Sequence, residues 1–141
     1  MVFGKKQRII NRLLIVEDEP LVAFDNEHLL REAGYEVVAT VDRCAEALAV
    51  LEDQPIDLIL SDVKLTGERN GVELARVAET IGVKLLFVTA TCPAEAPSLS
   101  VGCLTKPYGQ KDLLDALEAI ETAVSGGTPK RLPRGLSLYA V

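Results

Sequence analysis

Asp62 stands directly after an apolar run, Leu58-Ile59-Leu60-Ser61, at a point where burying a bare carboxylate would be costly. Three other apolar runs end in polar residues too. Glu17-Asp18-Glu19 follow Leu13-Leu14-Ile15-Val16, Thr89 follows Val83 to Val88, and Lys106-Pro107 come just after Val101 to Leu104. Carboxylates brought together repel one another unless a cation joins them. A set of hard oxygen ligands without His or Cys favours Mg²⁺ (or Mn²⁺), which keeps several waters and takes only one or two carboxylates. An Asp held against such an ion can act as a nucleophile toward phosphorus. An ammonium and a hydroxyl beside it would bind phosphoryl oxygens.

Each of these signals has an ordinary explanation when taken alone. Acids after a strand are favoured at the start of the next helix by its dipole. An Asp in the place of Asp62 can be a turn or cap residue, a strand-end Thr such as Thr89 is unremarkable, and a surface Lys before a loop Pro is common. Their shared placement at the ends of successive strands is what makes them specific together.

The elements that would position them alternate along the chain. Leu13 to Val16 is too short for a helix and rich in β-formers. Pro20 sits at a favoured first-turn position for a helix through Ala33, which Gly34 ends. Glu36 to Val41 reads as a second strand, and Ala45 to Leu51 as a helix closed by Pro55. Leu58 to Ser61 is the third strand, Gly71 to Ile81 an amphipathic helix closed by Gly82, and Val83 to Val88 the fourth strand. A weaker strand, Val101 to Leu104, precedes a clear final helix from Asp112 to Val124. Strands alternating with helices predict a doubly wound parallel α/β sheet of five strands, whose chemistry gathers at the carboxyl ends of the strands.

Composition narrows the function classes. A chain of 141 residues with 48% apolar residues and 26% charged residues is expected to form one globular domain. No stretch has the length of apolar sequence that a membrane span needs, and no secretory leader pattern follows the basic start, so a cytoplasmic location is the default expectation. All 21 acids lie between residues 13 and 124, against eight bases there, which disfavours nucleic acid as the main partner. Basic arms flank this body: residues 1–12 with Lys5, Lys6, Arg8 and Arg12, and residues 125–141 with Lys130, Arg131 and Arg134. They read as solvated tails, the second a flexible one. Cys44, Cys92 and Cys103 show no metal-like pairing and read as reduced small hydrophobes. The single His28 rules out multi-histidine metal sites.

With these residues in place, the chain from about Leu13 to Val124 resembles the receiver domain of two-component response regulators. LLIVEDEP resembles the family's acidic-pair segment, with Glu17 and Asp18 in the two acidic positions. LILSDVKLTGERNG resembles the phospho-acceptor segment with Asp62 as acceptor, LLFVTA places Thr89 at the switch hydroxyl, and LTKPY places Lys106 at the lysine before Pro107. The resemblance implies a flavodoxin-like (βα)₅ fold and Mg²⁺-dependent transfer of a phosphoryl group to Asp62 from a sensor histidine kinase or histidine phosphotransferase. It implies metal ligation by Asp18, Asp62 and the backbone carbonyl of Lys64, with Glu17 acting through water. Lys106 would hold a phosphoryl oxygen and Thr89 would turn toward the phosphate. FVTATC is similar to the Phe-Ala-Thr-Gly-x-Tyr motif of an alphaproteobacterial subgroup that includes single-domain regulators of general stress signalling; Phe87 and Thr89 fit it, whereas Val88, Ala90 and Cys92 depart from it.

Two departures carry expectations of their own. Cys103 occupies the position, three residues before the lysine, where the family usually has a switch aromatic. Only 16 residues separate Thr89 from Lys106, with Pro93 and Pro97 among them, so the fourth helix is expected to be short or irregular. The tail leaves no room for an output domain. The chain is therefore expected to work by protein contact as a monomer or weak dimer, with no direct DNA binding and only intrinsic autophosphorylation and autodephosphorylation. Asp25 and Asn26 interrupt the apolar pattern of the first helix and read as a solvated face. Two alternatives are weaker. An Asp-nucleophile phosphatase of the haloacid dehalogenase type wants an acid two residues after its nucleophile, where Lys64 stands, and a flavodoxin-like small-molecule module wants a glycine-rich phosphate loop after the first strand.

Overall fold

The inner strands of the sheet are largely apolar runs whose side chains alternate between two separate cores. In the computed structural model, which describes residues 7–139, the elements in order are β1 (Arg12–Val16), α1 (Pro20–Glu32), β2 (Glu36–Val41), α2 (Cys44–Asp53), β3 (Leu58–Ser61) and α3 (Gly71–Ile81). β4 (Lys84–Thr89), α4 (Ala96–Leu99), β5 (Gly102–Thr105), α5 (Gln110–Val124) and β6 (Leu136–Leu138) follow. The sheet runs β2-β1-β3-β4-β5-β6, with the first five strands parallel and β6 antiparallel to β5.

Leu13, Ile15, Leu58, Leu60, Leu86, Val88 and Leu104 point to one face, where α1 and α5 supply Leu30, Leu113, Leu117 and Ile120. Leu14, Val16, Ile59, Leu85, Phe87 and Cys103 point to the other, where α2, α3 and α4 supply Ala47, Leu74, Ala78 and Ala96. A strand buried on both faces must be apolar at every position, which is why these strands read as unbroken runs. The expected doubly wound α/β architecture is therefore the observed one. α4 has four residues, as short as the two prolines imply.

Three expectations are corrected. The sheet has six strands, not five, because the C-terminal segment read as a flexible tail returns to the β5 edge. Gly102 pairs with Leu138, Cys103 with Ser137 and Leu104 with Leu136, and Leu136 is buried in the α1–α5 core. An open strand edge offers a row of unpaired backbone groups, and three residues suffice to pair with it. Secondly, the described part of the N-terminal arm is docked rather than solvated. Arg8 lies over the Tyr35 ring at 4.0 Å and donates to the Ala33 carbonyl. The backbone amides of Ile9 and Ile10 donate to the buried Glu121 carboxylate at 2.8 and 2.9 Å. Arg12 belongs to β1 and binds Glu36 and Gln54. Lys5 and Lys6 lie outside the described residues.

Thirdly, Cys92 and Cys103 are joined in a disulfide; Cys44 alone is free, and buried. Spacing does not announce this pair. The segment after β4 folds back on β5 and brings the two Cα atoms to 6.2 Å, inside the range a disulfide spans. Among the described residues, no helix is long and apolar enough to cross a membrane.

Removing residues 129–141 strips the Leu136 contact and the β5–β6 hydrogen bonds. Denaturant unfolding is expected to show a loss of about 2 kcal/mol, from one buried Leu and a few net-stabilising bonds.

Candidate functional site

The strand order reverses between β1 and β3: from β1 the chain passes to β2 on one side and later to β3 on the other. Such a switch point leaves a crevice beyond the carboxyl ends of the two strands. Val16 is in register with Ser61, so the next residues, Glu17 and Asp62, emerge side by side. The alternation that sends Ile15 and Leu60 to the α1–α5 face continues to Glu17 and Asp62, which lean the same way.

Carboxylate oxygens of Glu17, Asp18 and Asp62 all lie within 4.8 Å of one another. Glu17 and Asp62 are buried, and Asp18 is half-buried. Lys106 follows β5, ahead of a cis peptide to Pro107, and its long side chain reaches across the strand ends. Its Nζ donates to Asp62 Oδ2 at 2.7 Å and to Glu17 Oε1 at 2.9 Å. Asp62 Oδ1 accepts from the amides of Val63 at 2.6 Å and Lys64 at 3.3 Å. Glu17 Oε2 accepts from the Glu19 amide at 3.2 Å. The Asp62 carboxylate is thus gripped at both oxygens.

Three carboxylates face one ammonium, which leaves two negative charges uncompensated when all are ionised. The donor set is entirely oxygen, the chemistry that suits a hard divalent cation rather than zinc or copper. The residues present therefore fit Mg²⁺. Burial, above all, raises the Glu17 pKa over its ordinary 4.5, against the pull of its bonds to Lys106 and the Glu19 amide. Burial also disfavours the Lys106 ammonium, but its bonds to Asp62 and Glu17 more than offset this and lift its pKa above the ordinary 10.5.

The backbone under Asp62 is tightly determined. Gly71 donates its amide to the Val63 carbonyl at 2.7 Å, and a Cβ on Gly71 would sit 2.0 Å from the Asp62 carbonyl oxygen. Only glycine fits the first residue of α3. Asn70 then caps that helix, accepting from Val72 and Glu73 while Glu73 accepts from the Asn70 amide.

This arrangement coincides with a known family. The model for the response regulator receiver domain matches residues 13–118. The chain belongs to that family. The receiver is similar to the transcriptional regulatory protein PdtaR of Mycobacterium tuberculosis, 31% identical over 113 residues, covering 76% of this chain and 55% of PdtaR. It is 34% identical over 80 residues to the phyllosphere-induced regulator PhyR of Methylorubrum extorquens, covering 55% of this chain and 30% of PhyR. The solution structure of SdrG from Sphingomonas melonis Fr1 superposes with a TM-score of 0.66 at 31% identity, covering 77% of this chain and 94% of SdrG. The receiver spans about half the length, or less, of these curated relatives. Receiver domains are signalling modules.

Thr89 meets the receiver's cluster through its backbone: its carbonyl accepts from the Lys106 amide at 2.8 Å. Its side chain follows the alternation of Phe87, toward the opposite face. The Lys64 amide points at Asp62, as given above. Asn26 departs from the solvated role expected of it, donating to the Tyr108 hydroxyl at 2.9 Å and tying α1 to the loop after β5. Gly71, Tyr108 and the Asn26 contact were not singled out as part of the site from sequence. The glycine sits where only close backbone approach explains it, and that approach is invisible before the chain is folded.

Two outcomes follow from this geometry. Gly71→Ala is expected to destabilise the receiver by about 2 kcal/mol or more, measured by urea unfolding, since the overpacked atom is backbone and cannot move aside cheaply. The raised Glu17 pKa means the folded state holds the extra proton, so stability is lost as pH rises from the ordinary 4.5 through the higher folded value. In metal-free buffer, Glu17→Gln is therefore expected to gain stability relative to wild type as pH rises above the ordinary 4.5, read from unfolding curves at each pH.

Proposed function

We propose that the chain is a response regulator receiver that accepts a phosphoryl group on Asp62 in a Mg²⁺-dependent reaction and signals by protein–protein contact. The observation that carries this is the grip on Asp62: one oxygen on the Lys106 ammonium, the other on two backbone amides, with Glu17 and Asp18 alongside. In this proposal Asp18, Asp62 and the Lys64 carbonyl hold Mg²⁺ (or Mn²⁺), with Glu17 acting through water. The ion, when bound, neutralises charge on the phosphoryl oxygens.

The chain's own residues do the rest. The two amides and Lys106 fix the orientation of the Asp62 carboxylate, which attacks phosphorus as the bond to the donor histidine nitrogen breaks. Lys106 carries positive charge through neutral pH, because its pKa stands above the ordinary value, and it holds a phosphoryl oxygen. The Thr89 hydroxyl turns toward the phosphate and passes the added charge to the β4–α4 segment. The donor is a sensor histidine kinase or a histidine phosphotransferase. Small phosphodonors also load the site, and the acyl phosphate hydrolyses slowly in place. The chain acts in the cytoplasm as a monomer or weak dimer, in general stress signalling, the pathway of the subgroup it resembles.

Incubation with acetyl phosphate and Mg²⁺ tests this. Intact-mass analysis is expected to find one hydroxylamine-labile phosphoryl group on wild type. It should be absent from Asp62→Asn and absent in EDTA, and its formation should be slowed by about two orders of magnitude in Lys106→Met. Steady turnover of a phosphomonoester with no acyl phosphate would instead mark a phosphatase.

A further inference from the structure

The disulfide lies where the site meets the rest of the molecule. Cys92 stands three residues beyond Thr89 and is half-buried, whereas Cys103 is wholly buried on β5 in the core that holds Phe87 and Ala96. The bridge spans a sequence separation of 11 and encloses all of α4. That enclosed segment has little regular structure of its own. Four residues are far below the length of a self-supporting helix, and Glu95 caps α4 with no side-chain bond. The Glu95–Arg76 ion pair is exposed and contributes little. Its anchors besides the bridge are the buried Ala96 and Val101, the Val101 amide bonded to the Leu85 carbonyl and the Val101 carbonyl to the Tyr139 amide. Cys103 also pairs with Ser137 of β6, so the bridge joins the Thr89 segment, β5 and the C-terminal strand at one point.

We propose that Cys92 and Cys103 form a reversible redox modification site whose state sets the freedom of residues 90–101. The consequence for signalling rests on the proposed role of Asp62; the redox chemistry does not. The reductant is a dithiol protein or small dithiol. Its thiolate attacks Sγ of Cys92, the more accessible sulfur. The S–S bond breaks, and its electron pair leaves on Cys103 Sγ, which takes a proton. The second thiol of the reductant then attacks the mixed disulfide and releases Cys92 as a thiol, leaving the reductant as a disulfide. Two electrons and two protons have passed to the pair. In the other direction, glutathione disulfide accepts them and leaves as two glutathione thiols. With the bridge open, the segment after Thr89 loses its covalent tie to β5.

The full chain, equilibrated in glutathione buffers of graded ratio, is quenched and alkylated after denaturation. Mass counting is expected to find one modified thiol, Cys44, at the oxidised end and three at the reduced end. Three thiols throughout, or one throughout, overturns the proposal. Hydrogen exchange of amides in residues 90–101 is expected to quicken about tenfold on reduction in wild type, while the central strands stay protected. Cys92→Ser should exchange at the fast rate whatever the redox state. Unchanged exchange on reducing wild type overturns the proposal even if the variant fails to fold. Acetyl phosphate is then applied to both redox forms. A change in acyl-phosphate lifetime on reduction, absent from Cys92→Ser, is the expected signalling effect, and equal lifetimes overturn it. Absence of any acyl phosphate in both forms overturns the role of Asp62 and leaves the thiol count standing.

Discussion

The ammonium of Lys106 is the interaction on which the site depends. Glu17 and Asp62 leave adjacent strands in register and are buried together, with Asp18 close by. Without a cation between them their mutual repulsion and desolvation would oppose folding. Lys106 answers from the far side of β4, bonded to both, and its own burial is offset by those same bonds. One charge cannot balance three. The remaining negative charge is why this all-oxygen cluster could hold a cation. Function here is a folding cost left incompletely settled.

The scaffold holds that arrangement still. The two cores on either face of the sheet fix the strands that carry Glu17, Asp62, Thr89 and Lys106, and the cores meet only through those strands. Gly71 brings the start of α3 against the Asp62 carbonyl, so the backbone of Asp62 has little room to shift. α4 is four residues long and sits between Thr89 and β5.

The margins of the domain are recruited rather than free. The β5 edge is closed by β6, and the end of α5 is closed by the N-terminal arm, whose amides satisfy the buried carboxylate of Glu121. In both places an unsatisfied polar edge, a strand rim or a carboxylate, captures a chain segment that had looked like tail. The disulfide belongs to the same region, because Cys103 is paired with β6 on one side and bonded to the β4–α4 segment on the other.

Much of this was legible in the residues alone. Apolar runs of strand length, punctuated by Pro20, Gly34, Pro55 and Gly82, determine the βα alternation. The acids and lysine that follow three of the runs come together at one edge, because a parallel sheet delivers the ends of its strands there. Local pattern is sufficient there, since each strand announces its own end. Other features were decided only by tertiary structure, each for the same reason: their partners are distant in sequence and carry no local pattern. Leu136–Leu138 is too short to signal a strand until the β5 edge is beside it. Glu121 finds Ile9 and Ile10 more than a hundred residues away, and Asn26 finds Tyr108 across the crevice. Cys92 and Cys103 become a pair only when the turn after β4 brings their Cα atoms to 6.2 Å. The sequence by itself determined which groups stand at the strand ends; only the folded chain decided which side chains meet around them, because contact is a property of distance and not of order along the chain.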